Sequence, residues 1–135
     1  MENTRKPKIL YVEDDRTLAM LYGMRLEEEG FEVIHCDDGE GALKTVQNLV
    51  PDLIVVDLMM PAMDGFKVIE LLRATPATAQ VRIMVLSALS QPEDIKKARN
   101  LGANDYLVKS QVTVDEIVAN VRQALGIPTP GITGV

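Results

Sequence analysis

The chain has 135 residues, 47% hydrophobic and 25% charged, with a formal net charge of −6. That length fits one domain with an ordinary core, and the composition excludes an intrinsically disordered chain. The acid excess argues against direct nucleic-acid binding, which would need a basic face. No apolar run approaches the roughly 20 residues of a membrane span. Met1 to Lys6 precede no apolar stretch long enough for a signal peptide. One cysteine, Cys36, excludes an internal disulfide and fits a reducing cytoplasm. Trp is absent and Tyr and Phe are few, so the core must be aliphatic.

Residues 1–7 form a short N-terminal extension. Lys8 to Val12 is an apolar run ending in Glu13-Asp14-Asp15, a buried strand opening onto acids. From Arg16 to Glu29, Leu18, Leu21, Tyr22 and Leu26 recur at helical spacing; Asp15 is the N-cap and Gly30 the stop. Phe31 to Cys36 alternates as a second strand. Asp37-Asp38-Gly39 makes a turn and cap. Ala42, Leu43, Val46 and Leu49 then mark a second helix, closed by Pro51. Leu53-Ile54-Val55-Val56 is short and β-branched, and reads as a strand buried on both faces. Asp57 follows it, where the chain leaves the core, and Pro61-Ala62-Met63-Asp64-Gly65 turns the chain.

Phe66, Ile69 and Leu72 outline a third helix ending near Thr75-Pro76. Val81 to Leu86 is a fourth strand running into Ser87. Pro92-Glu93-Asp94 opens a fourth helix, with proline and acids in its first turn. Gly102 stops it. Asp105 to Val108 is a fifth strand ending at Lys109. Val114, Ile117, Val118, Val121 and Leu125 stripe a last helix that Gly126 ends. Residues 127–135 carry Pro and Gly without periodicity and read as a flexible tail.

Five strands alternating with five helices predict an α/β fold, a doubly wound parallel sheet covered on both faces. Every strand then ends on the same sheet edge, where ligands of such sheets collect. Glu13, Asp14, Asp15, Asp57, Ser87 and Lys109 all reach that edge. Two carboxylates about 4 Å apart repel by about 4 kcal/mol at an effective dielectric near 20. They must therefore keep a proton or bind a cation. Hard oxygens with no partner His or Cys point to Mg²⁺, or Mn²⁺, rather than zinc. Lys109 is suited to a phosphate oxygen, and Ser87 to a hydrogen bond to it. Asp57 is suited to act as a nucleophile that forms an acyl phosphate. These parts add up to phosphoryl transfer to an aspartate.

This constellation resembles the receiver domain of two-component response regulators, of the stand-alone, chemotaxis-regulator-like kind, over residues 8–126. The resemblance implies a flavodoxin-like (βα)5 sheet in the order 2-1-3-4-5. It implies Asp57 as phosphoacceptor, with Mg²⁺ held by Glu13, Asp14, Asp57 and the backbone carbonyl of Met59. It matches Ser87 and Lys109 to the phosphate-contacting pair, and Ser87 and Tyr106 to the switch. Met60-Pro61-Ala62-Met63-Asp64-Gly65 matches the loop after the acceptor. The implied partners are a sensor histidine kinase or phosphotransfer protein and a downstream target protein. Contacts would switch on the face of the fourth helix, fifth strand and fifth helix, which also admits a homodimer. Such a domain is no enzyme beyond self-catalysed phosphorylation and dephosphorylation of its own Asp.

One departure stands out. The family lysine is usually followed by a proline in a cis bond, and here Ser110 follows Lys109. Either surroundings enforce a non-proline cis bond, at about 3–4 kcal/mol, or the local path differs. Ser110 is also the foothold of the alternative reading, a non-phosphorylated pseudo-receiver that docks by binding alone. An aspartate-nucleophile phosphatase would carry a second Asp where Met59 stands. A flavodoxin would need a Ser/Thr/Gly-rich loop where Glu13-Asp14-Asp15 stands. His35 and Cys36 are expected to be structural. No output domain fits after residue 126, although the tail is also compatible with a spent linker.

Overall fold

The computed structural model describes residues 5–128. The expectations for the extension and the tail fall largely on residues 1–4 and 129–135, outside the described residues. The elements run β1 (Lys8–Val12), α1 (Arg16–Glu28), β2 (Glu32–Cys36), α2 (Gly39–Thr45), β3 (Leu53–Val56), α3 (Gly65–Ala74), β4 (Arg82–Ser87), α4 (Pro92–Leu101), β5 (Asp105–Val108) and α5 (Val114–Leu125). All five strands pair in parallel, in the order β2-β1-β3-β4-β5.

Two apolar layers sandwich the sheet, and strand alternation assigns residues to each. Ile9, Tyr11, Leu53, Val55, Met84 and Leu86 face α1 and α5. Leu10, Val12, Ile54, Val56, Ile83 and Val85 join the layer that holds residues of α2, α3 and α4. The central strands are therefore sealed on both faces, as their unbroken apolar runs require. Val12 stands level with Val56 across β1 and β3. The next residues, Glu13 and Asp57, thus leave the core side by side.

Three local expectations are corrected, and one left open is resolved. The α1 core face is Ala19, Gly23 and Leu26, whereas Leu21 is 56% exposed. Small residues make much of the contact; Gly23 faces Val33 on β2, where a Cβ would sit at an ordinary 3.8 Å. Phe31 belongs to the end of α1 rather than to β2. Its N–H bonds Leu26 O while Gly30 N–H bonds Glu27 O, a paired closure that satisfies the last carbonyls. α2 stops at Thr45, short of Pro51. Gln47 and Asn48 close tight turns onto Lys44 O and Thr45 O, and the Thr45 hydroxyl bonds Gly41 O. Finally, no cis peptide occurs among the described residues. Of the two routes open at Ser110, the local path differs: Lys109–Gln111 forms a 3₁₀ turn.

Arg73, unremarkable in sequence, ties the opposite edge of the sheet together. Its guanidinium donates to the carbonyls of Thr78, Ala79, Val81 and Gly102 and to Asn104 Oδ1, over 2.6–3.1 Å. Gly102 has φ +121°, and a Cβ there would stand 2.7 Å from Arg73 Cγ. Arg73→Ala strands several carbonyls and is expected to cost about 3 kcal/mol in urea unfolding. Arg73→Lys should restore only part of it, since a point charge cannot span the fork. Unaltered unfolding of both variants would refute this role.

At the same edge, Glu29 accepts from Arg25 at 3.1 Å and Arg122 at 3.2 Å, joining α1 to α5. The hydrogen bonds from Arg25, then Arg122, hold its carboxyl below the ordinary glutamate value. The stability it contributes is complete above that ordinary value and is lost as pH falls through the depressed one. Glu29→Gln should therefore flatten the acid limb of a stability-against-pH curve and leave the neutral limb's shape unchanged.

Candidate functional site

The central acid sits where β3 ends. Asp57 is buried, and its N–H donates to Val12 O at 3.0 Å, so the ladder with β1 runs up to it. Asp57 Oδ1 accepts from Met59 N–H at 3.1 Å. Met59 itself is 54% exposed, so its backbone is the part that meets the site. Downstream, Met63 N–H bonds Pro61 O at 2.8 Å, closing a three-residue turn around Ala62. Ala62 has φ +66°, a left-handed conformation that costs a non-glycine residue about 1–2 kcal/mol. Asp64 caps α3 through Lys67 N–H. A Cβ on Gly65 would overlap the Asp57 carbonyl and stand 2.6 Å from Leu58 Cα. This explains the glycine: the loop folds directly back over the Asp57 main chain.

Glu13 lies beside Asp57 and is 1% exposed. Its Oε2 accepts from Asp15 N–H at 3.1 Å. Its main-chain oxygen contacts His35 Nε2 at 2.7 Å, which makes that nitrogen a donor. Tyr11, buried in β1, directs its hydroxyl toward Glu13 Oε1 at 3.5 Å. Single carboxylate oxygens of Glu13, Asp14 and Asp57 all lie within 4.8 Å of one another. Three hard oxygens so close, two of them on buried residues, form a donor set that fits a small divalent cation such as Mg²⁺.

Lys109 reaches this cluster from the end of β5. Its ammonium donates to Glu13 Oε1 at 2.7 Å and to Asp57 Oδ2 at 3.0 Å. Burial pulls the Lys109 ammonium down, but the two carboxylate hydrogen bonds carry it above the ordinary lysine value. Burial also pushes Glu13 up, more than the Lys109 and Asp15 hydrogen bonds lower it, and the Asp57 charge adds to the rise. The Tyr11 phenol is likewise pushed far up, first by burial and then by Glu13, and stays protonated.

Ser87 is fully buried at the end of β4. Its Oγ accepts from Leu89 N–H at 3.3 Å, while the half-buried Tyr106 donates its hydroxyl to Leu89 O at 2.8 Å. The two residues matched to the switch thus grip one residue of the same loop.

A family profile described as "Response regulator receiver domain" matches residues 9–122. The chain belongs to that family. This receiver is 39% identical to RpaA of Synechocystis, a DNA-binding transcriptional regulator, over 88% of its own length and 49% of RpaA. It therefore spans about half of that relative. Among solved structures it is similar to the chemotaxis protein CheY4 of Vibrio cholerae, with TM-score 0.85 and 26% identity over 90% of this chain and 100% of that one. It is also similar to the phosphorylated cyanobacterial phytochrome response regulator RcpA, with TM-score 0.78 and 27% identity over 88% and 93%.

The receiver brings Glu13, Asp14, Asp57, Ser87 and Lys109 to one edge, and Tyr106 reaches toward it from within β5. Glu13, Asp14, Asp57 and Lys109 form one cluster, and Ser87 and Tyr106 meet at Leu89 beside it. Sequence reasoning missed the His35 bond to Glu13, the Tyr11 hydroxyl and the Leu89 link. None has a motif: each depends on where a neighbouring strand or loop passes. Lys109→Ala would leave two buried carboxylates facing each other uncompensated. It is expected to cost about 3 kcal/mol in metal-free urea unfolding. Added Mg²⁺ should then stabilise the variant more than the parent; an equal gain in both would show that Lys109 does not relieve the repulsion.

Proposed function

We propose that this receiver accepts a phosphoryl group on Asp57 and relays it as a change of protein contacts. The observation that carries this is the meeting of three carboxylates and one lysine at the end of β3. The donor is the phosphohistidine of a sensor kinase or phosphotransfer protein, or a small acyl phosphate. An Asp57 carboxylate oxygen attacks phosphorus; the P–N bond breaks and its electron pair stays on the donor imidazole. With an acyl phosphate, the P–O bond breaks and a carboxylate leaves. Water later attacks the aspartyl phosphate, releasing phosphate and the Asp57 carboxylate, so the domain turns over only its own modification.

Glu13, Asp14, Asp57 and the Met59 carbonyl would hold Mg²⁺. When bound, the cation neutralises charge on the transferring phosphoryl oxygens. Lys109 trades its carboxylate hydrogen bonds for a phosphoryl oxygen, and the Ser87 hydroxyl turns from Leu89 N–H to donate to another. Leu89 then loses one tether, and Tyr106 moves with the loop. The surface so altered is the face of α4, β5 and α5, read by a target protein or by a second copy of the chain. This biases a two-state element by local charge. The single buried thiol and the absence of a membrane-spanning helix among the described residues fit work in the cytoplasm.

Intact mass after treatment with acetyl phosphate and Mg²⁺ tests the reading. The parent should gain one labile phosphoryl group, and Asp57→Ala none. Modification of the variant, or none of the parent, would sink the assignment of Asp57.

A further inference from the structure

β2 is an edge strand: it pairs with β1 on one side and with nothing among the described residues on the other. Glu32 N–H and Cys36 O point to β1, since they bond Pro7 O and Glu13 N–H. Alternation then turns the N–H and C=O of Val33 and His35 outward. Native sheets usually blunt such an edge with proline, lysine, a bulge or a covering element. β2 reads Glu-Val-Ile-His-Cys and carries none of the first two.

The open edge lies in a groove of about 630 Å³ between α1 and α2. Met20 and Met24 of α1 flank it, 65% and 56% exposed, and Thr45 of α2 stands on the other side. Two unbranched, adaptable side chains held in water beside free backbone groups are suited to gripping a partner. Charge along the groove is uneven. At one end Arg16 pairs with Asp37 at 3.2 Å. At the other, Glu27 of α1 lines the groove and Glu32 opens β2, and neither carboxylate has a partner among the described residues.

We infer that this groove takes an extended segment of another protein as a sixth strand, with apolar side chains on Met20 and Met24 and basic ones by Glu27 and Glu32. Main-chain bonds to Val33 and His35 would give affinity, and alternate side chains the selectivity. A second copy is the poorer occupant: it would bring the same acids to the seam, from a chain of net charge −6. The surface lies across the sheet from β5, at the far edge from Tyr106. The inference does not depend on phosphorylation of Asp57.

Three capped hexapeptides test it, each with Leu at alternate positions and, at the end that meets Glu27 and Glu32, a pair of Lys, Gln or Glu residues, titrated into the full chain labelled with ¹⁵N. The Lys peptide should bind and shift the amides of Val33, His35, Met20 and Met24. About 0.5 M NaCl should weaken it, as screening of exposed charges requires. Glu27→Gln and Met24→Glu should each weaken it about fivefold or more, with acetyl phosphate labelling unchanged. Backbone N-methylation of the Lys peptide should abolish binding. The proposal fails if no peptide perturbs β2, if the Glu peptide binds as tightly as the Lys peptide, or if the N-methylated peptide binds unimpaired. It fails equally if the β2 amides respond to protein concentration alone, which would mark a second copy as the occupant.

Discussion

The Lys109 ammonium lies between Glu13 and Asp57, 2.7 Å from one oxygen and 3.0 Å from the other. Both carboxylates are almost entirely buried, so water does little to screen their repulsion. A low-dielectric site of this kind tolerates the charges only while a cation is in place. The ion pairs therefore make it possible for acids to gather at the end of a buried strand at all. They also make the site responsive, because anything that changes charge there must change what Lys109 holds.

Parallel topology makes that contact available. Every strand ends on the same edge, and β1 and β3 are neighbours, so Glu13 and Asp57 emerge level. β5 lies two strands from β3, and Lys109 spans the gap past β4 with its long stem. Apolar layers on both faces keep the strands rigid, which suits a site that depends on short distances. The loop above Asp57 is less relaxed, with Ala62 held left-handed and Gly65 pressed to the Asp57 main chain. Strain of this kind persists where the surroundings over-determine the backbone.

The Leu89 contacts give a physical path from the site to the surface. Ser87 holds the Leu89 N–H and Tyr106 holds its carbonyl, so a change at either alters the loop that both share. The other edge of the sheet is tied in differently. His35 on β2 bonds the Glu13 main chain, which places the β2 edge one hydrogen bond from the acidic cluster.

The alternation of apolar runs, the acids after β1 and β3, and the turn before Gly65 were enough to read the fold, its site edge and the family. These features are local, and strand periodicity and turn chemistry act over a few residues. Glu13, Asp57, Ser87 and Lys109 were legible for the same reason, since each ends or directly follows its own strand. What the sequence could not specify depends on which elements touch. The α1 core face is Ala19, Gly23 and Leu26, set by the side of the helix that packs on the sheet, so counting large apolar side chains misplaced Leu21. Phe31 was absorbed into the helix end, and α2 stopped early where tight backbone turns and the Thr45 hydroxyl took its carbonyls. Arg73, His35 and Leu89 acquired their roles only from carbonyls and hydroxyls brought in by distant segments. Hydrogen bonds between elements are decided by packing, and packing is settled only when the whole chain has closed around its two cores.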